Sequence, residues 1–193
     1  MKDTVEHAQS KLYVESPIGR RRRLWGYLRA FDNRAHGRMD RQSMNSPIQG
    51  VCSDINIMAT SLLIEFIFSC GKAKYQVDDK LAWLICNLVH DSAEMEVPVE
   101  DVYFVLTNFE KFYIKNVVTM LQEEFDYKID VPLTVDFEVC INFGNKKKWD
   151  GSLSQAKEIQ KWALKDAYGK MGKKVTKQVY RECIEKTYES KVV

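Results

Sequence analysis

Residues 82–97 have the sequence Ala82-Trp-Leu-Ile-Cys-Asn-Leu-Val89-His90-Asp91-Ser92-Ala-Glu-Met-Glu-Val97. The run up to Val89 is apolar apart from Asn87, a pattern typical of a strand that is buried on both faces. The residues that follow the bend alternate partly between polar and apolar side chains. Two such runs on either side of a short polar bend predict a β-hairpin, with His90 and Asp91 at the bend.

Apolar residues recur at helical spacing in the sequence on both sides of this hairpin. Residues 41–69 predict one long helix or two abutting ones, with Pro47 in a first turn and Gly71 as a stop. Residues 99–125 predict an amphipathic helix, and residues 132–143 alternate as a further strand. Long helices packed on a small antiparallel sheet define the α+β class, which is the fold we expect. The apolar face of the further strand consists of Val135, Phe137, Val139 and Ile141.

The two ends of the chain predict shorter elements. Residues 1–13 predict the end of a helix, and a turn follows at residues 14–19. Residues 20–27 predict a strand whose arginines alternate between its faces, and residues 28–40 predict a loop or a short helix. Residues 151–193 predict a basic helical tail, which could dock a partner, hold duplex DNA or remain a solvated face.

Composition excludes several classes of protein. The chain has 193 residues, of which 45% are apolar and 29% charged, an ordinary balance for a soluble globular protein. No stretch approaches the roughly 20 uninterrupted apolar residues of a membrane span, and the polar amino terminus is not a secretory signal. The five cysteines are scattered and never spaced as CxxC, which argues against disulfides and structural zinc. We expect a protein of a reducing cytoplasm, with its cysteines in the core.

Positive charge is concentrated in the first quarter of the chain, although the net charge is only +2. Such a concentration fits a surface that faces phosphates, and a solvated charged face is the equal alternative. The residues concerned are Arg20, Arg21, Arg22, Arg23, Arg29, Arg34, Arg38 and Arg41.

Asp91 is a candidate ligand for a hard cation. A carboxylate held at a rigid bend can bind Mg²⁺, which prefers oxygen ligands. A two-metal centre for phosphoryl transfer needs a second carboxylate to bridge ions about 3.5–4 Å apart. Taken alone, His90-Asp91 is better explained as a turn with a hydrogen-bonded histidine.

A second candidate site lies on the predicted helix from residue 41. Arg41, Asn45 and Gln49 are spaced i, i+4, i+8, which places their side chains in a row on one face. Such a row can reach the minor-groove acceptors that every base pair carries. An exposed polar helix face without a ligand is the alternative.

Both candidate sites match motifs of a known family. Arg41-Gln-Ser-Met-Asn45-Ser-Pro47-Ile-Gln49-Gly50, followed by Asp54, has the form RxxxNxPxQGxxxD. Val89-His90-Asp91 is followed by Glu96 and Pro98. These segments resemble, respectively, the RxxxN helix and the motif C hairpin of the DNA-polymerase-I-like (family A) DNA polymerases.

The flanking segments extend the resemblance. Residues 13–22 are similar to the turn and basic strand that precede the RxxxN helix, and residues 132–149 to the strand that closes the palm. The resemblance covers about residues 8–150, and four motifs in the family's order make it specific. Residues 1–150 are therefore expected to form the carboxyl-terminal portion of a palm.

The resemblance implies template-directed DNA synthesis, in which a primer 3′-hydroxyl attacks a deoxynucleoside triphosphate (dNTP) and releases pyrophosphate. It implies that Asp91 ligates the catalytic Mg²⁺ ions and that His90 lies beside the primer terminus. It also implies contacts with primer–template DNA by Arg41, Asn45, Gln49, Arg21 and Arg22.

Two features depart from the family. Ser92 stands where an acidic residue usually follows His-Asp, so the site loses charge, and we expect an altered metal response more than inactivity. Glu94 and Glu96 are expected on the same face of the strand as Ser92. Residues 71–80 lengthen the connection between the helix and the hairpin.

The family's other metal-binding aspartate, in motif A, is absent from the sequence, as is the finger helix that binds the nucleotide. The chain is therefore expected to be a fragment or, preferably, a separate carboxyl-terminal subunit of a split phage-type polymerase. Its partner would be an amino-terminal subunit or segment that carries motif A and the fingers. A non-catalytic DNA-binding or structural subunit is the main alternative, and a stand-alone metal phosphohydrolase is a weaker one.

Overall fold

The computed structural model describes residues 2–78, 80–89, 91–142 and 144–188. Within these ranges the fold is α+β, as predicted, and the strands form three two-stranded antiparallel sheets, β1–β2, β3–β4 and β5–β6. The elements in chain order are α1 (Lys2–Lys11), β1 (Tyr13–Glu15), β2 (Arg21–Arg23), a 3₁₀ helix (Trp25–Arg29), α2 (Asn33–Ser69), β3 (Leu84–Val89), β4 (Ser92–Glu96), a 3₁₀ turn (Val99–Asp101), α3 (Val102–Glu110), a π-helical turn (Lys111–Lys115), α4 (Asn116–Phe125), β5 (Phe137–Asn142), β6 (Asn145–Trp149), α5 (Leu153–Lys170) and α6 (Lys177–Glu185).

The chain divides into two compact units. The first comprises Met1–Met58 and Met120–Lys128, and the second comprises Ala59–Thr119 and Ile129–Val193.

In the first unit, the hairpin of β1 and β2 pairs Tyr13 with Arg23 and Glu15 with Arg21. Its connecting turn contains Gly19 at φ +88°, a conformation that side chains with a Cβ rarely adopt. The predicted strand over residues 20–27 is thus shorter than expected, because its second half forms the 3₁₀ helix. A small core forms from Ala8, Val14, Leu24 and Tyr27.

The long helix α2 begins eight residues earlier than predicted and contains Pro47 in its interior rather than in its first turn. Proline lacks the amide that would continue the helical hydrogen bonds. The hydroxyls of Ser43 and Ser46 donate to the carbonyls of Asp40 and Gln42, so side-chain hydrogen bonds supplement the backbone ladder in this region.

By length and composition alone, α2 is apolar enough to cross a membrane. The core helix of a soluble protein meets the same test. Towards the carboxyl end of α2, Ala59, Leu63 and Phe66 are almost completely buried, as in a core helix.

In the second unit, α3 and α5 pack together around a core that includes Trp149. Gln160 of α5 is fully buried, accepts from the Tyr103 amide at 2.7 Å and donates to the Val99 carbonyl at 2.7 Å. These bonds satisfy backbone groups at the start of α3 that lack helical partners. The core residues are Val102, Leu106, Trp149, Ala156, Ile159 and Ala163.

The predicted helix over residues 99–125 is confirmed, with a π-helical turn in its middle. Its buried residues Phe109, Tyr113, Val117 and Leu121 recur every four residues. In a regular α-helix, residues spaced four apart do not stay in line, and the line through them turns around the helix axis. The π-helical turn has more residues per turn and offsets part of this rotation.

The cysteines are free thiols, as predicted. Their expected burial holds for Cys183 but is wrong for Cys52, Cys86 and Cys140, which are exposed on α2, β3 and β5, and Cys70 is half-buried.

Candidate functional site

The predicted hairpin around Asp91 is confirmed. Strands β3 and β4 pair antiparallel from Leu84 with Glu96 to Val89 with Ser92, with an irregularity between Ile85 and Asn87. The connection between the strands is therefore only two residues long, and Asp91 is one of them. His90, the other predicted catalytic residue, lies outside the described residues.

The Asp91 side chain is exposed at the tip of this hairpin. Its charge still acts within the second unit, on Tyr113 in the π-helical turn. Burial raises the pKa of Tyr113, and the Asp91 carboxylate raises it further. The carboxylate is therefore exposed and close enough to Tyr113 for its charge to act on that side chain.

Strand β3 differs from its prediction, because it is not buried on both faces. Trp83, immediately before the strand, is 2% exposed, whereas Leu88 and Val89 at its far end are 45% and 40% exposed. The start of strand β3 is therefore anchored in the core through Trp83, whereas its other end is exposed and leads to Asp91.

The row of Arg41, Asn45 and Gln49 lies on α2 as predicted, and all three side chains are exposed. Gln49 also lines a cavity of about 500 Å³ in the first unit, which we call the arginine hollow. The cavity brings Gln49 together with Arg21 and Arg22, two other predicted DNA-contacting residues, and it does not include Arg41 or Asn45. The arginine hollow is lined by Val14, Ser16, Arg20, Arg21, Arg22, Arg23, Ser46, Pro47, Gln49, Gly50 and Ser53.

Two of the arginines in the hollow are committed to carboxylates. Arg20 lies 2.5 Å from Asp54, and Arg21 lies 2.5 Å from Glu15. The hydrogen bond and charge of Glu15 raise the pKa of Arg21. These pairs fix two guanidinium groups on the wall of the hollow, and the exposed Arg22 and Arg23 extend the positive surface.

Comparison with known proteins decides the family. Residues 1–145 match the sequence model of DNA polymerase family A. The chain belongs to DNA polymerase family A. It is 29% identical over 149 residues to the DNA polymerase of Bacillus phage SP01, a match that covers 75% of this chain and 14% of that protein. No solved structure matches the chain.

In this family A chain, Ser92 has a structural contact of its own. Its hydroxyl donates to the Val89 carbonyl at 2.9 Å, which closes the hairpin turn. Glu94 and Glu96 share the exposed face of β4 with Ser92, and Ala93 and Met95 occupy the opposite, half-buried face. The serine at this position therefore supports the turn.

The described residues do not complete a metal site for the family's Mg²⁺ chemistry. Within the described ranges, no group of three or more His, Cys, Asp or Glu side chains is placed to hold an ion. Asp91 contributes one carboxylate at an exposed tip, and a two-metal centre requires more.

A groove of about 470 Å³ separates β4 from β5 in the second unit, and we call it the hairpin groove. Its two sides are β4 and β5, each of which pairs on one edge only among the described strands. Its floor includes Val102, Leu106 and Ala163 of α3 and α5. The groove therefore has an apolar floor between two strands.

Sequence reasoning missed a buried charged cluster around Asp101, which is 0% exposed. Trp83 donates to its carboxylate at 2.8 Å, Tyr188 donates at 2.7 Å, Lys72 lies 3.3 Å away, and Lys186 also donates. Burial alone would raise the pKa of Asp101, but the hydrogen bonds from Lys186, Trp83 and Tyr188 hold it below the usual value. The cluster joins the residue before β3 to the carboxyl-terminal residues 186–188.

Proposed function

We propose that this chain is the carboxyl-terminal palm portion of a DNA-directed DNA polymerase and that it supplies Asp91 to the active site. The observation that carries the proposal is the exposed carboxylate at the tip of the β3–β4 hairpin. This hairpin lies within residues 1–145, which match the sequence model of DNA polymerase family A. The chain spans about a seventh of the length of the phage SP01 polymerase.

The proposed reaction is attack of the primer 3′-hydroxyl on the α-phosphate of a dNTP, with release of pyrophosphate. Bound Mg²⁺ would supply charge neutralisation in such a transfer. Asp91 is proposed as one ligand of this Mg²⁺ site, which an aspartate of the amino-terminal polypeptide completes. His90 is proposed to lie beside the primer terminus.

The proposed contacts with primer–template DNA use the exposed row on α2 and the wall of the arginine hollow. Asn45 and Gln49 carry both donors and acceptors and suit the minor groove, whereas Arg41 and Arg22 suit phosphates. Arg21 is proposed to contact DNA through the guanidinium nitrogens that Glu15 does not occupy, because its bond to Glu15 uses Nε.

The hairpin groove supports the proposal that an amino-terminal polypeptide completes the palm. Unpaired strand edges accept an added strand through backbone hydrogen bonds, and an apolar floor buries that strand's inward side chains. The exposed Leu88 and Val89 supply further apolar surface beside Asp91. A strand with the motif A aspartate, seated in this groove, would add its carboxylate to the same unit as Asp91.

A reconstitution experiment tests this proposal. The chain alone is expected to give no primer extension with Mg²⁺ and dNTPs, and addition of the amino-terminal polypeptide with motif A and the fingers is expected to restore it. Extension would be followed on a labelled primer–template, with the amino-terminal polypeptide alone as the control. Robust Mg²⁺-dependent synthesis by the isolated chain would contradict the requirement for a partner.

A further inference from the structure

Three large apolar side chains of the first unit are exposed in and just after the 3₁₀ helix. Trp25 is 56% exposed, Leu28 is 64% exposed and Phe31 is 95% exposed. We call these three residues the aromatic patch. In the same segment Leu24 and Tyr27 are only 3% and 8% exposed.

The three-residue period of the 3₁₀ helix explains this division. Residues three apart eclipse one another, so Trp25 and Leu28 share the outer face while Leu24 and Tyr27 share the inner face. Phe31 lies two residues beyond the helix, after Ala30, whose backbone is extended.

Close packing against α2 fixes the orientation of the patch. A Cβ on Gly26 would lie 2.2 Å from the Met39 sulfur, so this segment packs directly against the Met39 side chain of α2. The Tyr27 hydroxyl donates to Asp40 at 2.9 Å, and Gln9 donates to the same carboxylate at 3.2 Å. The exposed rings therefore stand on an anchored segment.

Arginines are frequent in the sequence around the aromatic patch. Residues 20–41 contain eight arginines and only two acidic residues, Asp32 and Asp40. The Arg23 guanidinium lies over the Trp25 ring, 5.6 Å from its centroid, and Arg29 and Arg34 are exposed beside the patch in sequence. Such a positive field complements a polyanion and disfavours the charge-poor core of a protein interface.

We propose that the aromatic patch binds the unpaired nucleotides of a single DNA strand. Bases would stack on the Trp25 and Phe31 rings, and the neighbouring arginines would contact the phosphates, which is the combination that single-strand-binding surfaces use. This site differs from the row on α2, because that row is suited to paired bases in a minor groove. The inference deepens the proposed polymerase function, since the strand would be the unpaired part of a template.

The test measures single-strand binding directly, without synthesis. The chain would be titrated against a labelled oligothymidylate of about 12 nucleotides at one fixed salt concentration, with fluorescence anisotropy as the readout. Trp25→Ala and Phe31→Ala are each expected to weaken binding about tenfold, with a larger loss in the double variant. Tyr75→Ala removes an aromatic ring that is 75% exposed in the second unit and is the matched control, with unchanged affinity expected.

Two outcomes would overturn the inference. One is an affinity of the double variant equal to that of the wild type, or no binding by the wild-type chain. The other is retention of single-strand binding while the double variant loses association with the amino-terminal polypeptide, which would make the patch a protein interface. In either case, continued primer extension by the assembled wild-type complex would leave the proposed polymerase function intact.

Discussion

Replacing Asp91 with asparagine in the assembled polymerase is expected to lower the rate of primer extension about a thousandfold. Asparagine keeps the shape of the side chain but removes the negative charge that a metal ligand must supply. Because Asp91 is exposed at a two-residue turn, the fold should be unchanged. Single-turnover extension of a labelled primer measures the rate, and affinity for primer–template should persist.

The matched control is Glu94→Gln, which removes one negative charge from the exposed face of the adjoining strand. It is expected to leave the rate close to that of the wild type. Ser92→Ala is expected to have a small effect, because it removes only the hydrogen bond to the Val89 carbonyl. Synthesis by Asp91→Asn at the wild-type rate would favour the alternative of a non-catalytic DNA-binding or structural subunit.

The second large effect concerns stability. Asp101→Ala is expected to lower the free energy of unfolding by about 3–5 kcal/mol, because it leaves the buried Lys72 and the half-buried Lys186 without their carboxylate. The Trp83 indole would also lose its acceptor. That loss is a large part of the about 5–15 kcal/mol that stabilises a typical protein. Urea unfolding followed by tryptophan fluorescence measures it.

Asp136→Ala is the control for this change, since it breaks an aspartate–lysine pair at the surface. Asp136 lies 2.7 Å from Lys148, and both side chains are well exposed. Its loss should cost less than about 1 kcal/mol. An Asp101→Ala variant no less stable than this control would contradict the role given to the buried cluster.

The depressed pKa of Asp101 also predicts a pH dependence. A carboxyl whose pKa is lower in the folded state contributes stability above its unfolded value, and that contribution is lost as the pH falls through the folded value. The stability gap between the wild type and Asp101→Asn should therefore be constant near neutral pH. It should shrink once the pH falls below the ordinary value of 3.8.

Local patterns predicted the elements that present the candidate site. The apolar run up to Val89 and the alternation after Ser92 located the hairpin bend correctly, because a two-residue connection fixes the register of both strands. The spacing of Arg41, Asn45 and Gln49 placed them on one helix, as observed. The roles of these residues in catalysis and DNA binding stay predictions.

Local patterns failed where distant parts of the chain decide the structure. An apolar run does not reveal which neighbours cover it, so the exposure of Leu88 and Val89 was not predicted. Asp101 receives bonds from Lys72, Trp83 and residues 186–188, which lie in separate segments and form no short motif. The start of α2 was missed because residues 33–40 contain Gly37 and few large apolar side chains, so no apolar periodicity marked them as helical.

The measurement that tests the central claim most directly is metal-directed cleavage of the assembled complex. Fe²⁺ in place of Mg²⁺, with a reductant and oxygen, generates hydroxyl radicals that cut the backbone next to the bound ion. We predict cuts in this chain at the β3–β4 bend that excess Mg²⁺ suppresses and that Asp91→Ala abolishes. Cuts that are absent from this bend, or that persist unchanged in Asp91→Ala, would contradict the assignment of Asp91 as a ligand of the catalytic metal.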